Sequence, residues 1–136
     1  MPSSPHSEVE LQPRFRVRLG DEVALGPGKA DLLEGIAAVG SIAEAAKQLG
    51  MSYMRAWTLV KTMNRCFRTP LVAMTRGGTE RGGAQLTPTG RRVLELYRSL
   101  EQVSRTAVAP TWEELQTLVR PDPSPESATR GSYRYI

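Results

Sequence analysis

The side chains best suited to a chemical role lie on one predicted helix within residues 40–67. At about 100° per residue, one stripe of that helix carries a thioether, a hydroxyl and two cations. No acidic residue occurs between Met51 and Glu80, although exposed helices ordinarily mix charges of both signs. This face therefore favours a polyanionic partner over a merely solvated surface. Its members are Met54, Thr58, Lys61 and Arg65, flanked by Arg55, Thr62 and Arg68.

The sequence contains few residues suited to catalysis or metal binding. The chain has one histidine, His6, and one cysteine, Cys66, and its carboxylates are not clustered. No acid–base pair, activated nucleophile, intramolecular disulfide or cysteine-based zinc site can be assembled from that set. We therefore expect no enzyme activity, no metal and no cofactor.

Two short capped helices joined by a tight turn are predicted around that face. Ser41 caps the first helix and Glu44 completes a capping box, while Gly50 ends the helix in a left-handed conformation. Ser52 caps the second helix. This is the helix-turn-helix arrangement, in which the second helix enters a DNA major groove. The predicted buried stripe of the second helix is Ala56, Val60, Met63 and Phe67.

Residues 14–19 alternate strictly between arginine and apolar side chains. This period of two predicts a half-buried strand with Phe15, Val17 and Leu19 on its covered face. A second short strand at residues 23–25 follows. The arginines of the other face either contact phosphate or form a charged edge that discourages aggregation, and both interpretations stay open. They are Arg14, Arg16 and Arg18.

Further elements complete the predicted domain on either side of the helix-turn-helix. Apolar residues within 32–39 repeat at helical spacing and predict a third core helix. Residues 71–75 and 84–87 predict two strands joined by a glycine-rich loop, which in this place forms a wing. Arg76 and Arg81 of the loop are expected to reach backbone phosphate or the minor groove, although a simple flexible connection is the alternative.

Pro88 starts another helix, which carries an apolar seam over several turns. So long a seam needs more partner surface than three short helices and a hairpin offer, which indicates a homodimer contact. Packing inside the monomer stays the alternative. The predicted seam residues are Val93, Leu96, Tyr97, Leu100 and Val103.

The 136 residues suffice for one domain with tails. We expect a flexible arm at residues 1–13 and a winged helix-turn-helix with its dimerisation helix at residues 14–106. Because Pro110 breaks helical continuity, a separate short helix is predicted at residues 107–119. A disordered tail, rich in proline and serine, is predicted at residues 120–136.

Positive charge is concentrated in the middle of the chain. The formal charge is +4 overall, with −2 in residues 1–40, +7 in residues 41–92 and −1 in residues 93–136. This is the electrostatic footprint expected of phosphate contacts. No apolar run approaches transmembrane length and the beginning of the chain lacks a signal-peptide pattern, so we expect a cytoplasmic protein without a membrane partner.

Three runs of sequence occur together and in order: G-S-I-A-E-A-A-K-Q-L-G-M-S-Y-M-R-A-W at residues 40–57, M-N-R-C-F at 63–67, and R-G-G-T-E-R-G-G-A-Q-L-T-P-T-G at 76–90. Together they resemble the DNA-binding domain of the ModE family of molybdate-responsive transcription regulators. The resemblance covers about residues 14–106 and implies a winged helix-turn-helix that dimerises through the helix after the wing and binds promoter DNA.

The same resemblance implies a C-terminal molybdate-binding part. The thirty residues after Thr106 are too few for such a β-barrel, so we expect no oxyanion-sensing domain here and an effector response through a separate partner protein. LysR-type regulators share a similar S-I-A-x-A-A-x-x-L-G stretch, but they normally start with the helix, whereas this chain places a strand first.

The leading hypothesis is a sequence-specific, double-stranded DNA-binding transcription regulator that acts as a homodimer. Its expected fold is mostly α with a small β-sheet, a winged helix-turn-helix followed by a long dimerisation helix. The alternative is a protein-interaction module, which Glu80 in the wing mildly supports. Trp57 either lines the groove or packs under the wing, and Tyr53 either contacts DNA or braces the turn. The predicted DNA-binding residues are Ser52, Tyr53, Met54, Arg55, Trp57, Thr58 and Lys61, with Arg65, Arg68, Arg76 and Arg81 on phosphates.

Overall fold

A computed structural model describes residues 8–75 and 83–120 of the chain. Its contacts divide these residues into two units, Pro13–Ser104 and a second one made of residues 8–12 and 105–120. The predicted wing loop and tail lie outside the described residues. Within the described ranges, no helix has the length and apolar character needed to span a bilayer. The elements are β1 (Val17–Leu19), β2 (Glu22–Leu25), α1 (Pro27–Val39), α2 (Ile42–Gln48), α3 (Tyr53–Cys66), β3 (Val72–Thr75), β4 (Gly83–Leu86) and α4 (Pro88–Gln116).

The helix-turn-helix pair forms where its capping residues predict it. The hydroxyl oxygen of Ser41 accepts a hydrogen bond from the amide of Glu44 at 3.2 Å and starts α2. The reciprocal bond of a capping box, from the Ser41 amide to the Glu44 carboxylate, is not formed. At the other end Gly50 has φ +68°, and Met51 donates to the carbonyl of Ala46 at 3.0 Å. This backbone loop satisfies the last carbonyls of α2 and turns the chain into α3.

Three helices enclose the core, and small residues set their spacing. A Cβ added at Gly35 of α1 would lie 3.2 Å from the Cβ of Ala45 in α2, so these two helices approach closely. The predicted inner stripe of α3 is confirmed, because Ala56, Val60 and Met63 are buried. The fourth member, Phe67, packs partly buried against the core. The other fully buried core residues include Leu32, Leu33, Ile36, Ile42 and Leu71.

The two strands of the wing pair antiparallel and are fastened to the helices at their base. The Asn64 side chain on α3 accepts hydrogen bonds from the amides of Leu71 and Val72, at 2.8 and 3.1 Å, and donates to the carbonyl of Val72 at 3.1 Å. The carbonyl of Gly40, after α1, accepts from the amide of Ala84 on β4 at 2.9 Å. Hydrogen bonds therefore hold β3 to α3 and β4 to the end of α1.

The prediction of a half-buried first strand is wrong. β1 is only three residues long, and all three are exposed. Its pairing with β2 is irregular between Val17 and Arg18. Alternation sorts side chains onto two faces, but burial also requires another element to cover one face. In this unit β2 contributes the buried side chains, Ala24 and Leu25, whereas Phe15, Val17 and Leu19 stay exposed.

The start of α4 is set by Thr87 and by a glycine. The Thr87 hydroxyl oxygen accepts from the amide of Gly90 at 2.9 Å, and the Thr87 amide donates to the carbonyl of Leu71 at 2.9 Å. A Cβ at Gly90 would lie 2.1 Å from that same Leu71 carbonyl oxygen, far inside contact distance. Glycine is therefore required for the close approach between α4 and the chain leading into the wing.

Tyr97 was predicted in the dimer seam, but it is a core residue. Its side chain is 1% exposed, and its hydroxyl donates to the carbonyl of Phe15 at 2.9 Å. Burial raises the pKa of this phenol, which keeps it a proton donor. Next to it, the Arg98 guanidinium binds Asp31 of α1 at 3.0 Å and Glu101 of α4 at 3.0 Å. The apolar pattern of α4 did not distinguish the side of the helix that packs against the core from the side that is exposed.

The predicted break between the long helix and a short helix at residues 107–119 is wrong. Helix α4 continues through Pro110 and ends at Gln116. A proline removes one backbone hydrogen bond and bends a helix, but it need not end one when its neighbours favour helix. Alanines precede Pro110 and glutamates follow it, which are good helix formers.

Candidate nucleic-acid interface

The outward face of α3 is exposed as its charge pattern predicts. Met54 is 72% exposed, and Thr58, Lys61 and Arg65 are also exposed along the same stripe. The Thr58 hydroxyl donates to the carbonyl of Met54 at 2.9 Å, one turn back. Thr62 does the same to the carbonyl of Thr58 at 3.0 Å. Both hydroxyl protons are thus used within the helix, which leaves oxygen lone pairs and methyl groups for an outside partner.

An aromatic corner stands at the amino-terminal end of this face. The rings of Tyr53 and Trp57 meet edge to face, with centroids 6.2 Å apart and planes at 86°. The Lys61 ammonium lies 5.9 Å from the centroid of the Trp57 ring, at the outer limit of a cation–π contact. With Met54 and Thr58 these residues line a shallow cleft of about 340 Å³.

Trp57 lies at the border between the core and the surface. Its side chain is half-buried and packs against the core, and its remaining surface lines the cleft. Tyr53 is exposed and contacts Trp57. The core contact of Trp57 therefore holds the aromatic pair in position on the surface.

Two residues predicted to contact DNA have a defined place at the start of α3. Ser52 is the N-cap, and its hydroxyl oxygen accepts from the amide of Arg55 at 3.1 Å. The Arg55 side chain does not line the aromatic cleft. It lines a second groove beside β2, together with Lys29 of α1 and residues that precede β1.

Arg65 is not free on the outward face, because it forms a salt bridge with Glu22 of β2. Glu22 also accepts a hydrogen bond from the Cys66 thiol at 3.5 Å. The bond from the Arg65 guanidinium, followed by that from Cys66, lowers the pKa of the Glu22 carboxyl below its ordinary value. A carboxylate that is distant in sequence therefore lies at the carboxyl-terminal end of the basic face.

Of the three remaining residues predicted to contact phosphate, the structure describes one. Arg68 is exposed after the end of α3 and pairs with no acidic side chain in the described parts of the chain. Arg76 and Arg81 lie outside the described residues, so their predicted role stays a prediction.

Sequence reasoning missed two ionisable residues at this surface, Glu22 and Lys29. Neither stands in a pattern with the helix-turn-helix, and Glu22 is 43 residues from its partner Arg65 along the chain. No local signal reports such a contact. The alternation of residues 14–19 did single out three arginines, two of which, Arg14 and Arg16, share a groove with Lys29.

The predicted dimer residues fall into three environments on α4. Leu96, Leu100 and Val103 are exposed, and Val103 is 63% exposed. Val93 is partly buried against the core, and Tyr97 is fully inside it. The three exposed side chains line a shallow depression of about 440 Å³ together with Phe15, Ser99 and Ser104.

Residues 30–91 match the model of the family described as bacterial regulatory helix-turn-helix protein, lysR family. A solved structure described as "Crystal structure of CbnR_DBD-DNA complex" has the same fold, with a TM-score of 0.51 and 19% sequence identity. The match covers 65% of this chain and 95% of that one. The fold is therefore a winged helix-turn-helix followed by a long helix.

The chain is also similar in sequence to two proteins named ModE. The chain is 38% identical over 113 residues to the molybdenum transport protein ModE of Azotobacter vinelandii, covering 80% of this chain and 42% of that protein. It is 37% identical over 91 residues to the DNA-binding transcriptional dual regulator ModE of Escherichia coli K12, covering 67% and 35%. The domain is ModE-like.

The likeness extends to the molybdenum-pterin-binding protein MopB of Rhodobacter capsulatus, at 39% identity over 77 residues, covering 57% of this chain and 28% of that protein. The chain spans less than half the length of each of these ModE-like relatives. Among residues 8–75 and 83–120, no three histidine, cysteine, aspartate or glutamate side chains are grouped closely enough to hold a metal ion.

Proposed function

We propose that this ModE-like chain is a transcription regulator that binds double-stranded DNA in a sequence-specific manner as a homodimer. The observation that carries the proposal is the exposed face of α3, where Met54, Thr58 and Lys61 project from a helix held by capping residues and by the wing. A helix of this kind fits the major groove, where its side chains can reach base edges. The Escherichia coli relative is named a DNA-binding transcriptional dual regulator, which agrees with the proposal.

Two further features support DNA as the partner. Residues 41–92 carry a net charge of +7, which attracts the phosphate backbone. The cleft between Tyr53, Trp57 and Lys61 combines an apolar floor with a cation at its rim. Such a cleft can accept the edge of a base, including a thymine methyl group, while the cation contacts a neighbouring acceptor.

The decisive experiment first selects bound fragments from random duplex DNA and then titrates the best fragment by fluorescence anisotropy at several salt concentrations. Lys61→Ala is compared with Arg92→Ala, a matched control on the exposed part of α4. If Lys61 contacts a base, its loss costs about 1–3 kcal/mol and relaxes the sequence preference, whereas a lost phosphate contact lowers the salt slope by about one. Arg92→Ala should change the affinity by less than about threefold, because the Arg92 guanidinium is exposed and already paired with Glu95.

A chain that selects no fragment above random duplex would contradict sequence-specific binding. A chain that binds no duplex at all, but still associates with another regulator, would instead support a protein-interaction module. Both variants should have the same melting temperature as the parent, because Lys61 and Arg92 are exposed and lie outside the core.

The homodimer part of the proposal rests on the apolar depression on α4. Leu96 and Leu100 are each about half exposed, and Phe15 from the amino-terminal segment continues the same surface. Contiguous exposed apolar side chains often mark a protein–protein contact. A second copy that presents the same patch would cover it with a self-complementary contact.

Leu100→Asp tests this contact, because dimer formation would bury an unpaired carboxylate. The matched control is Met74→Asp, which places the same charge at an exposed apolar position on β3. Analytical ultracentrifugation at micromolar concentration should give a dimer for the parent and for the control, and a monomer for Leu100→Asp. A monomeric parent would refute the homodimer.

The response to an effector is proposed to reach this 136-residue chain through a separate partner protein. The aromatic cleft and the groove lined by Arg55 are open to solvent, whereas a tetrahedral oxyanion is held by converging donors in a closed pocket. Chromatography of the tagged chain on extracts with and without molybdate tests the idea, since a specific partner should be retained in only one of the two conditions.

A further inference from the structure

A second basic groove lies beside α3, on the side opposite the wing. It has a volume of about 260 Å³, and the start of α1 forms its floor. Four cationic side chains from separate parts of the chain converge on it, and no acidic residue lines it. They are Arg14, Arg16, Lys29 and Arg55.

The positive charge of this groove is not neutralised inside the domain. None of the four cations forms an ion pair with an acidic residue in the described ranges. Partial burial lowers the pKa of Lys29, and the neighbouring Arg55 adds to this effect, while Cys66 and Glu22 oppose it. The Glu22 carboxylate is itself paired with Arg65. Like charges held together in this way favour an anion from outside.

The groove has a defined position relative to the helix proposed to enter the major groove. Arg55, which lines it, and Asn64, which holds the wing strand, are nine residues apart on α3. Nine residues are two and a half turns, so these two side chains leave the helix in directions about 180° apart. The exposed stripe through Thr58 and Lys61 lies between them. The groove and the wing thus flank the same exposed face.

A duplex that receives α3 in its major groove presents one phosphate backbone on each side of the helix. The wing strands stand on one side, and the basic groove stands on the other. Phosphates suit this groove, because four cationic side chains line it and their N–H groups are all donors.

We propose that the segment before β1, with Lys29 and Arg55, forms a second phosphate-binding site that clamps the DNA backbone opposite the wing. Arg14 and Arg16 are its principal donors, because both are exposed and can reach outward without disturbing the core. The inference rests on the proposed DNA-binding function. It assigns a role to the amino-terminal hairpin. LysR-type regulators, which normally start with the helix, do not contain this hairpin.

The test compares two charge-matched double variants of the full chain on the DNA fragment selected for the parent. Arg14→Gln with Arg16→Gln removes two cations from the groove, and Arg92→Gln with Arg105→Gln removes two exposed cations of α4 that do not line it. Two lost phosphate contacts lower the salt slope by about 1.8, which corresponds to a dissociation constant roughly 30-fold higher at 0.15 M salt. The control pair should change affinity by less than about threefold.

A second readout locates the contact on the DNA. Single methylphosphonate substitutions remove the charge of one phosphate at a time. In the parent, methylphosphonate substitutions in the DNA backbone next to the groove should weaken binding. In the Arg14→Gln, Arg16→Gln variant the same substitutions should have no effect. The sequence preference should be unchanged, because phosphate contacts do not read bases.

The proposal is overturned if the groove variant keeps the salt slope and affinity of the parent, or changes no more than the control. It is also overturned if calorimetry shows tight binding of inorganic phosphate to the groove while the Arg14→Gln, Arg16→Gln variant binds DNA as the parent does. That result would indicate a small-anion site. A parent chain without salt-dependent DNA binding would instead refute the proposed function itself, so the two failures are distinguishable.

Discussion

Glu22→Gln should increase the affinity of the chain for DNA. In the structure the Glu22 carboxylate holds the Arg65 guanidinium at the end of the proposed recognition face. Both side chains are about half exposed, so the pair is accessible to a competing phosphate. Glutamine keeps the size of the side chain and removes the charge. Exposed ion pairs add little to folding free energy, so the stability of the domain should hardly change.

The size of the effect follows from one additional phosphate contact. If Arg65 becomes available to the backbone, the salt slope steepens by about 0.9, and the dissociation constant at 0.15 M salt falls about fivefold. Because the bond from Arg65 lowers the pKa of Glu22, the carboxylate is ionised at and above mildly acidic pH. The difference between parent and variant should therefore be constant from about pH 6 to pH 8.

Fluorescence anisotropy at several salt concentrations measures both quantities. The matched control is Asp21→Asn, which removes the same charge from the adjacent residue, whose carboxylate forms no ion pair with any described residue. In an Arg65→Gln background the Glu22→Gln change should act like the control. Equal effects of Glu22→Gln and Asp21→Asn in the parent would show that only overall charge matters, and would refute the masking of Arg65.

Gly90→Ala should destabilise the domain by about 1–3 kcal/mol, since the new Cβ would overlap the Leu71 carbonyl and this strain outweighs the higher helix propensity of alanine. Its control is Gly28→Ala on α1, where no atom lies within 4 Å of the new Cβ, and thermal melting should show a gain of about 0.4–1 kcal/mol. The 136-residue chain should not bind molybdate with sub-micromolar affinity. A stoichiometric calorimetric signal in that range would contradict the prediction.

Local patterns determined the helix-turn-helix because its signals act within a few residues. The hydroxyls of Ser41 and Ser52 each satisfy an amide three residues ahead, and Gly50 takes the left-handed conformation that ends α2. The inner stripe of α3 is likewise a consequence of its period. Capping and periodicity need no knowledge of distant parts of the chain, so the sequence was sufficient to predict them.

Strand and helix limits were less predictable where the outcome depended on what covers a surface. The alternation of residues 14–19 predicted a half-buried strand, but β1 covers only Val17–Leu19, and the side chains of Phe15, Val17 and Leu19 are exposed. Pro110 predicted a break, yet α4 passes through it. In each case the local preference was real, and a term that depends on neighbouring structure decided the result.

The sequence by itself determined where the basic, hydroxyl-bearing helix is, how it is capped and which elements surround it. Only the tertiary structure decided that Tyr97 turns inward while Leu96 and Leu100 stay outside, and that Glu22 reaches Arg65. The physical reason is range. Helix caps and periodicity come from hydrogen bonds and sterics between near neighbours, whereas burial and ion pairing depend on which surfaces the folded chain brings together from tens of residues away.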